Sequence, residues 1–293
     1  MKARYLLSAS IILSLLFTSC GVKDMDEKPS ETVTPTTTAT PAATTSLPAD
    51  TPEEALSSTA TTMPTPEQTS GSEGKAAFIQ HTKSVPATTA IDITDVDEKT
   101  LDACFAAQTI PEAVFARMDG KTFGKKCTTK RSDLRYVRVL HYGFDGKTHA
   151  GELVVNKGIA KDIVKIFRQL YKNKYPIEKM KLADDYDADD DLSMADNNTS
   201  SFNFRYVEGT KTLSKHALGL AIDINPLYNP YIVTINGKKK IEPPESKPYV
   251  DRKLDLPYII RKGDLLYKLF LDHGFSWGGS WKEPDYQHFA KAL

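Results

Sequence analysis

The chain is organised around the stretch Leu213-Ser214-Lys215-His216-Ala217-Leu218-Gly219-Leu220-Ala221-Ile222-Asp223-Ile224-Asn225-Pro226. The apolar run Leu220–Ile224 is typical of a buried central strand. Asp223 lies inside that run, where a carboxylate costs free energy unless a metal or another cation pairs with it. Gly219 permits a tight turn just before the strand, and His216 precedes that turn. This arrangement predicts that His216 and Asp223 belong to one metal site.

A second fragment, Trp281-Lys282-Glu283-Pro284-Asp285-Tyr286-Gln287-His288-Phe289, supplies another histidine and another carboxylate. Two imidazoles and one carboxylate form a three-ligand zinc set, and catalytic zinc sites keep the fourth position for water. We therefore predict a zinc site made of His216, Asp223 and His288. The remaining carboxylate, Asp285, is the natural general base for that water. Because Asp285 and His288 would face opposite ways on a strand, a bend or helical turn must bring both to the metal.

These motifs resemble those of the zinc D-Ala-D-Ala peptidases. That family includes the vancomycin-resistance-type D,D-carboxypeptidases and D,D-dipeptidases and the phage L-alanyl-D-glutamate endolysins. The resemblance rests on Ser-x-His-x-x-Gly-x-Ala-x-Asp at 214–223, Trp-Gly-Gly-x-Trp at 277–281 and acidic-x-x-His-Phe at 285–289. It extends over about 141–289 and covers nothing before that region.

The resemblance implies zinc as the cofactor, the three ligands named above and Asp285 as the base. An Asp at this position, in place of Glu, is closer to the endolysin-like branch than to the dipeptidases. Ala290 stands where family members often carry an acidic residue, so that supporting carboxylate is missing here. We expect an α+β fold of the hedgehog and D,D-peptidase type, with a small antiparallel sheet, helices packed against one side and zinc in the cleft.

Arg205 is the candidate for binding the substrate's charge. Aromatic residues alternate at 202, 204 and 206, as in a strand, which places Arg205 on the opposite face. A guanidinium there can bind a peptide carboxylate or stabilise an oxyanion. The resemblance implies the oxyanion role, and the alternative is a surface ion pair. Ser214, two residues before His216, is expected to hydrogen-bond the substrate or to orient the loop.

The first twenty residues, Met1–Cys20, contain a short basic segment, an apolar core and small residues before the cysteine. This order is typical of a secretory signal, and the core is too short for a membrane-spanning helix. Leu16-Phe17-Thr18-Ser19-Cys20 resembles a bacterial lipobox, although Phe17 occupies the usual place of Leu. We expect acylation of Cys20 and an extracytoplasmic lipoprotein anchored to the membrane. The alternative is an ordinary cleaved signal with a stray cysteine.

Residues 21–90 are dominated by Thr, Pro, Ser, Ala and Glu and have no hydrophobic period. Such a segment cannot bury enough apolar area to offset the entropy of ordering. We predict a disordered stalk that holds the folded domain, residues 91–293, away from the membrane.

The balance of charge gives no sign of a nucleic-acid partner. With 38 basic and 38 acidic residues, the chain offers no electrostatic case for binding nucleic acid.

The number of cysteines suggests a disulfide. If Cys20 is acylated, two cysteines remain in an exported protein, which favours a Cys104–Cys127 disulfide. Such a loop of about twenty residues would contribute about 3 kcal/mol in the chain-entropy model. The alternative is two buried free thiols.

Hydrophobic periodicity predicts the regular elements of the domain. The predicted strands are 134–140, 151–156 and 177–181, and Asn236-Gly237 predicts a hairpin that joins 233–235 to 239–241. The predicted helices are 159–171 and 264–273, the second ended by Gly274.

Two further patterns resemble metal sites, and we interpret both as structural. The acidic run 184–191 begins like a calcium loop, but Leu192 and Asn198 stand where Gly and Glu are required. It is therefore interpreted as a solvated acidic loop. His141 and His149 have no partner at ligand spacing and are interpreted as core or surface histidines.

Together these residues predict metal-assisted hydrolysis of an amide bond by a monomer. Export and a stalk fit the stem peptides of peptidoglycan, cut either at D-Ala-D-Ala or at L-Ala-D-Glu. A non-catalytic zinc-containing wall-binding module is the main alternative, and an intact Asp285 argues against it. A serine D,D-peptidase would need Ser-x-x-Lys, which Ser214-Lys215 does not provide. A substrate-binding lipoprotein would need a larger folded part.

Overall fold

The computed structural model describes residues 71–207, 210–235 and 237–293. The predicted signal peptide with Cys20, and residues 21–70 of the predicted stalk, lie outside the described residues. Within the described ranges, no helix combines the length and the apolar character needed to cross a membrane.

Helices and small antiparallel sheets make up the described part of the chain, which confirms the α+β class. The helices are α1 (Ser72–Ser84), α2 (Glu98–Asp102), α3 (Glu112–Met118), α4 (Ala160–Lys172), α5 (Asp190–Ala195) and α6 (Leu265–Asp272). The strands are β1 (Ala106–Gln108), β2 (Leu134–Tyr142), β3 (Thr148–Asn156), β4 (Ala221–Asp223), β5 (Tyr231–Ile235), β6 (Lys238–Glu242), β7 (Ser276–Trp277) and β8 (His288–Ala290). Short 3-10 helices include His216–Leu218 and Gly278–Ser280.

The larger sheet has the order β1-β2-β3, and both of its strand pairs are antiparallel. Successive side chains of a strand point to opposite faces, so each face has its own apolar cluster. One cluster contains Ile163, Ile166, Phe167 and Leu170 of α4 with Val137, Val139, Leu153 and Val155 of the sheet. The other contains Val114 and Met118 of α3 with Leu134, Tyr136, Val154 and Phe202. Helices therefore cover both faces, whereas we predicted one.

A second sheet, of order β4-β8-β7, carries the candidate metal ligands. Its central strand β8 pairs antiparallel with β4, and the register sets Asp223 directly opposite His288. The neighbouring pair, Ile222 and Phe289, is fully buried and faces the main apolar core. Burial of this pair fixes the register, because a slip of one residue would turn the ligands away from their common side.

Several sequence predictions are confirmed with small shifts of their ends. Helix α4 and helix α6 lie at the two predicted helical segments, and β2 and β3 extend the first two predicted strands. The predicted hairpin forms between β5 and β6, with Ile235 paired to Lys238.

Two predicted strands are absent from the described residues. Segment 177–181 makes only isolated bridges, and its buried residues Ile177 and Met180 are three positions apart, which is not the period of a strand. Segment 202–206 fails for a similar reason. Phe202 and Asn203 are both buried although they are adjacent, because the Asn203 amide hydrogen-bonds the carbonyl of Ala188.

Ordered structure begins earlier than the predicted boundary at residue 91. Helix α1 lies inside the predicted stalk, with Phe78 and Ile79 packed against the main core. The buried guanidinium of Arg138 donates hydrogen bonds to the carbonyls of Thr82 (2.7 Å) and Val85 (2.9 Å). Amino-acid composition could not predict these contacts, because it gives only the mean polarity of the segment.

The predicted Cys104–Cys127 disulfide is not formed, and both residues are free thiols. Cys104 is buried in the α4 cluster, where its Sγ lies 3.4 Å from the carbonyl oxygen of Thr100. Cys127 packs against the α3 cluster on the other face of the sheet. The number of cysteines cannot predict that Cys104 and Cys127 lie on opposite faces of the sheet.

Gly219 provides a test of how the metal-binding segment is joined to the larger sheet. It has φ +65°, and a Cβ there would lie 2.7 Å from the Asn156 nitrogen. We expect Gly219→Ala to lower the free energy of unfolding by about 3 kcal/mol, as measured by urea denaturation. Gly237→Ala is the matched control, since Gly237 has φ +75° but no atom within 4 Å, and should cost about 1 kcal/mol. Equal losses would show that the close approach contributes nothing.

Candidate metal centre

The fold brings the three predicted metal ligands together. His216 begins a 3-10 helix, Asp223 ends β4 and His288 begins β8. The Nε2 of His216 lies 3.1 Å from one Asp223 carboxylate oxygen, and the Nδ1 of His288 lies 2.9 Å from the other. The two ring nitrogens are 3.2 Å apart. All three residues are buried.

Hydrogen bonds with three serines fix the orientation of His216 and Asp223. The Nδ1–H of His216 donates a hydrogen bond to the carbonyl oxygen of Ser201 at 2.7 Å, so Nε2 of the neutral ring carries no hydrogen. Asp223 exchanges two backbone hydrogen bonds with Ser200, at 3.0 and 3.1 Å. The hydroxyl of Ser214 accepts the backbone N–H of His216 at 3.2 Å. Ser214 thus orients the loop, one of the two roles predicted for it.

The geometry fits a tetrahedral zinc site. Ligand atoms about 2.0–2.1 Å from zinc at tetrahedral angles lie about 3.3 Å from one another. The three candidate ligand atoms lie within 4.8 Å of one another, and the contacts between them are 2.9–3.2 Å. Without a cation, two ring nitrogens and a carboxylate directed at one point would have to be held together by shared protons. The set therefore suits a divalent cation better than it suits a hydrogen-bonded cluster.

Electrostatics of the metal-free cluster agree with this assignment. Burial works against ionisation of Asp223, but the imidazoles of His216 and His288 outweigh it and hold the pKa of Asp223 below its ordinary range. Burial also favours the neutral form of His216, but the Asp223 carboxylate outweighs it and raises the pKa of His216. Asp223 is therefore an anion, and a cation must compete with a proton for His216.

Asp285 lies beside the ligands without being one of them. A turn carries it there, because its backbone N–H donates to the Gly278 carbonyl and its carbonyl accepts from the His288 N–H. One carboxylate oxygen lies 4.0 Å from Nδ1 of His288. The other is buried and has no hydrogen-bond partner. An unpartnered buried carboxylate oxygen next to a metal-binding cluster has the position required of a base that acts on water.

Burial raises the pKa of Asp285 to about 7, and the negative charges of Asp223 and Glu242 act in the same direction. The positive charges of His288 and Arg205 oppose the rise. A carboxyl group whose pKa lies near neutrality can both accept and return a proton under physiological conditions.

Arg205 lies close enough for its charge to act on both His216 and Asp285. Its guanidinium also forms an ion pair with Asp190, so the predicted alternative of an ion pair is observed as well. The side chain is 35% exposed, which leaves part of it accessible to a ligand.

Three residues near the centre were given no individual role by the sequence analysis. Ser201 acts through its backbone carbonyl, which no side-chain pattern can reveal. Asp190 was included in the acidic run interpreted as solvated. Trp281 is 47% exposed, and its ring centroid lies 5.3 Å from that of His288. The Gly-rich segment before Trp281 was the available signal, since Gly278 lets the chain pass close to Asp285.

A large cavity among the described residues lies away from the candidate centre. Its volume is about 810 Å³, and residues from 90–102, 142–148 and 171–174 line it. None of the metal-centre residues contributes to its wall. The candidate site is therefore defined by its donor set and not by the size of a cavity.

Comparison with known proteins gave a family match that overlaps the candidate site. A family model described as D-alanyl-D-alanine carboxypeptidase matches residues 208–291, less than a third of the chain. The matched span contains His216, Asp223, Asp285 and His288 but not Arg205. Comparisons with the curated proteins and with the solved structures gave no match. The match supports a peptidase of the D-alanyl-D-alanine carboxypeptidase type, and the hedgehog type of fold stays a prediction.

Metal binding can be tested with Asp223→Asn, which removes the central charge with little change of shape. We expect one zinc ion per chain in the unchanged protein and an affinity more than about a hundredfold lower in the variant. Because the pKa of His216 is raised, the affinity should also fall as pH decreases and the proton competes. Competition titration with a chromophoric chelator measures both effects.

Asp145→Asn is the matched control for this test. Asp145 also contacts a histidine, His149, at 2.9 Å, but outside the cluster. Its replacement should leave zinc affinity unchanged. Equal losses in the two variants would contradict the assigned ligand set.

Asp285 makes a separate prediction about the stability of the metal-free protein. The folded chain retains the Asp285 proton up to about pH 7, whereas the unfolded chain releases it near the ordinary value. Stability from this group is therefore lost as pH rises toward 7. Asp285→Asn should stabilise the metal-free protein, and by about 2 kcal/mol more at pH 8 than at pH 5.

Urea denaturation with chelator present at the two pH values measures this difference. Asp272→Asn, at an exposed position of α6, should show no such pH dependence. A gain for Asp285→Asn that is the same at both pH values would mean that Asp285 has an ordinary pKa.

Proposed function

We propose that the protein is a zinc-dependent peptidase that hydrolyses an amide bond in the stem peptides of peptidoglycan. The observation that carries the proposal is a buried carboxylate, Asp285, with an unpartnered oxygen beside a buried His-Asp-His cluster. A structural metal site would have no need of a fourth ionisable side chain with a pKa near 7. The family match over 208–291 supports the same reaction class.

Zinc held by His216, Asp223 and His288 would supply Lewis acidity and bring the pKa of water from about 16 to about 7. Asp285 takes the proton of the attacking water through its free oxygen and later delivers it to the leaving amine. Arg205 offers positive charge to the oxygen of the scissile carbonyl as that oxygen gains negative charge. Burial of the cluster strengthens each of these interactions, because little water screens them.

The proposal extends to location. An acylated Cys20 would anchor the protein to the extracytoplasmic side of a membrane, where peptidoglycan is accessible. The stalk would give the catalytic domain reach toward the wall. The partners are then the stem peptides and the lipid surface, and the domain acts as a monomer.

The reaction is tested with the zinc-loaded full-length protein and purified peptidoglycan, with products followed by mass spectrometry. Free D-Ala identifies a D,D-carboxypeptidase, and stems cut after L-Ala identify an endopeptidase. Asp285→Asn should lower kcat at least about a thousandfold while zinc content is retained, because the base is lost and the ligands are not.

Asp272→Asn serves as the surface control and should retain full activity. If the folded, zinc-loaded protein releases no product, the peptidase proposal fails. Sedimentation of that inactive protein with peptidoglycan would then favour the wall-binding module.

A further inference from the structure

The acidic residue that faces Arg205 is itself held in a fixed position. Asp190 is the first residue of α5, and one of its carboxylate oxygens accepts a hydrogen bond from the Asn203 amide at 3.1 Å. The same amide donates to the Ala188 carbonyl at 3.0 Å. The backbone N–H of Asn203 donates to the carbonyl of His216 at 3.3 Å. Asp190 is thus connected to the backbone of a metal ligand through one intermediate residue.

The other carboxylate oxygen of Asp190 binds Nη2 of Arg205. A carboxylate that contacts one end of the planar guanidinium restricts the orientation of the whole group. The Nε of Arg205 is buried and has no hydrogen-bond partner. One donor of the guanidinium is therefore satisfied by Asp190, and a second is fixed in place without an acceptor.

We propose that Asp190 is a positioning residue for the reaction, which holds the Arg205 guanidinium in the orientation in which its exposed part can meet an oxygen of the bound substrate. The inference rests on the proposed function, in which Arg205 stabilises the developing charge. An arginine free to rotate would have to be ordered in each catalytic cycle, which would raise the barrier. Asp190 orients the Arg205 guanidinium before the substrate binds, without contacting the substrate itself.

The opposite role for Asp190 makes a different prediction. If Asp190 only competed with the substrate for Arg205, its removal would free the guanidinium and raise activity. Positioning is favoured because Asn203 holds Asp190 in place, while the Arg205 side chain keeps 35% of its surface exposed to a substrate.

A double-mutant cycle on the full-length, zinc-loaded protein tests the inference. Asp190→Asn should lower kcat about tenfold or more with little change in KM or zinc content. Arg205→Gln should lower kcat about 10²–10³-fold. In the Arg205→Gln background, Asp190→Asn should cause no further loss, because a positioning residue acts only through its partner.

Asp191→Asn is the control, since it removes an adjacent, exposed carboxylate from the same helix and should leave kcat unchanged. Asn203→Ala is a second variant, which removes the support of Asp190 and should lower kcat in the same direction. It keeps the inference testable if Asp190→Asn fails to fold.

A second readout does not depend on activity. In a ¹⁵N–¹H spectrum, the Nε–H signal of Arg205 is identified by its absence in Arg205→Gln. It should be displaced from the free-arginine position in the unchanged protein and should return to it in Asp190→Asn but not in Asp191→Asn.

The outcomes separate the two proposals. Equal losses from Asp190→Asn in both backgrounds, or a gain in activity, would overturn the positioning role and leave the peptidase intact. If the unchanged protein hydrolyses nothing, the peptidase proposal fails. The Nε–H signal then decides alone whether Asp190 holds the Arg205 side chain in place. A signal that Asp190→Asn leaves unaltered would overturn the positioning role as well.

Discussion

The buried negative charge of Asp223 is the constraint on which the site depends. It ends a strand whose neighbouring residues are apolar, so water cannot solvate it there. The β4–β8 register places His288 opposite Asp223, and the turn before β4 places His216 next to the Asp223 carboxylate. Each neighbour supplies a nitrogen that stabilises the anion, and together they leave one point at which a cation can meet all three. Pairing of β4 with β8 therefore brings two of the three donors together.

At Asp285, unlike at Asp223, the position of the carboxyl group favours chemistry at the expense of stability. Its carboxyl group is buried near two other carboxylates and has an oxygen without a partner, which makes ionisation unfavourable in the metal-free chain. A domain optimised only for stability would place an amide or an apolar residue there. The unfavourable burial is concentrated at Asp285, while His216 and Asp223 are held by hydrogen bonds with Ser200, Ser201 and Ser214. This contrast is typical of an active site built on a stable scaffold.

Much of this arrangement could be predicted from the sequence, because the signals are local. The periodicity of α4, the Asn-Gly turn of the hairpin and the apolar run around Asp223 each depend on neighbouring residues. The three residues that cluster as candidate metal ligands were predicted from residue chemistry and from resemblance to known motifs. The failures discussed next concern contacts between distant segments. Cysteine number could not place Cys104 and Cys127 on different faces of a sheet, composition could not reveal the docking of α1, and an acidic run gave no sign that Asp190 meets Arg205.

The docking of α1 has a mechanical consequence. Residues 88–91 hydrogen-bond along the edge of β3, and Arg138 holds the carbonyls of Thr82 and Val85. A pulling force applied to the chain before Ser72 would load these contacts first, since every metal ligand lies beyond residue 215. Helix α1 and the strand-edge contacts would have to separate before the chain between them and the candidate ligands could be extended. The centre can thus keep its geometry while the N-terminal side of the domain is under load.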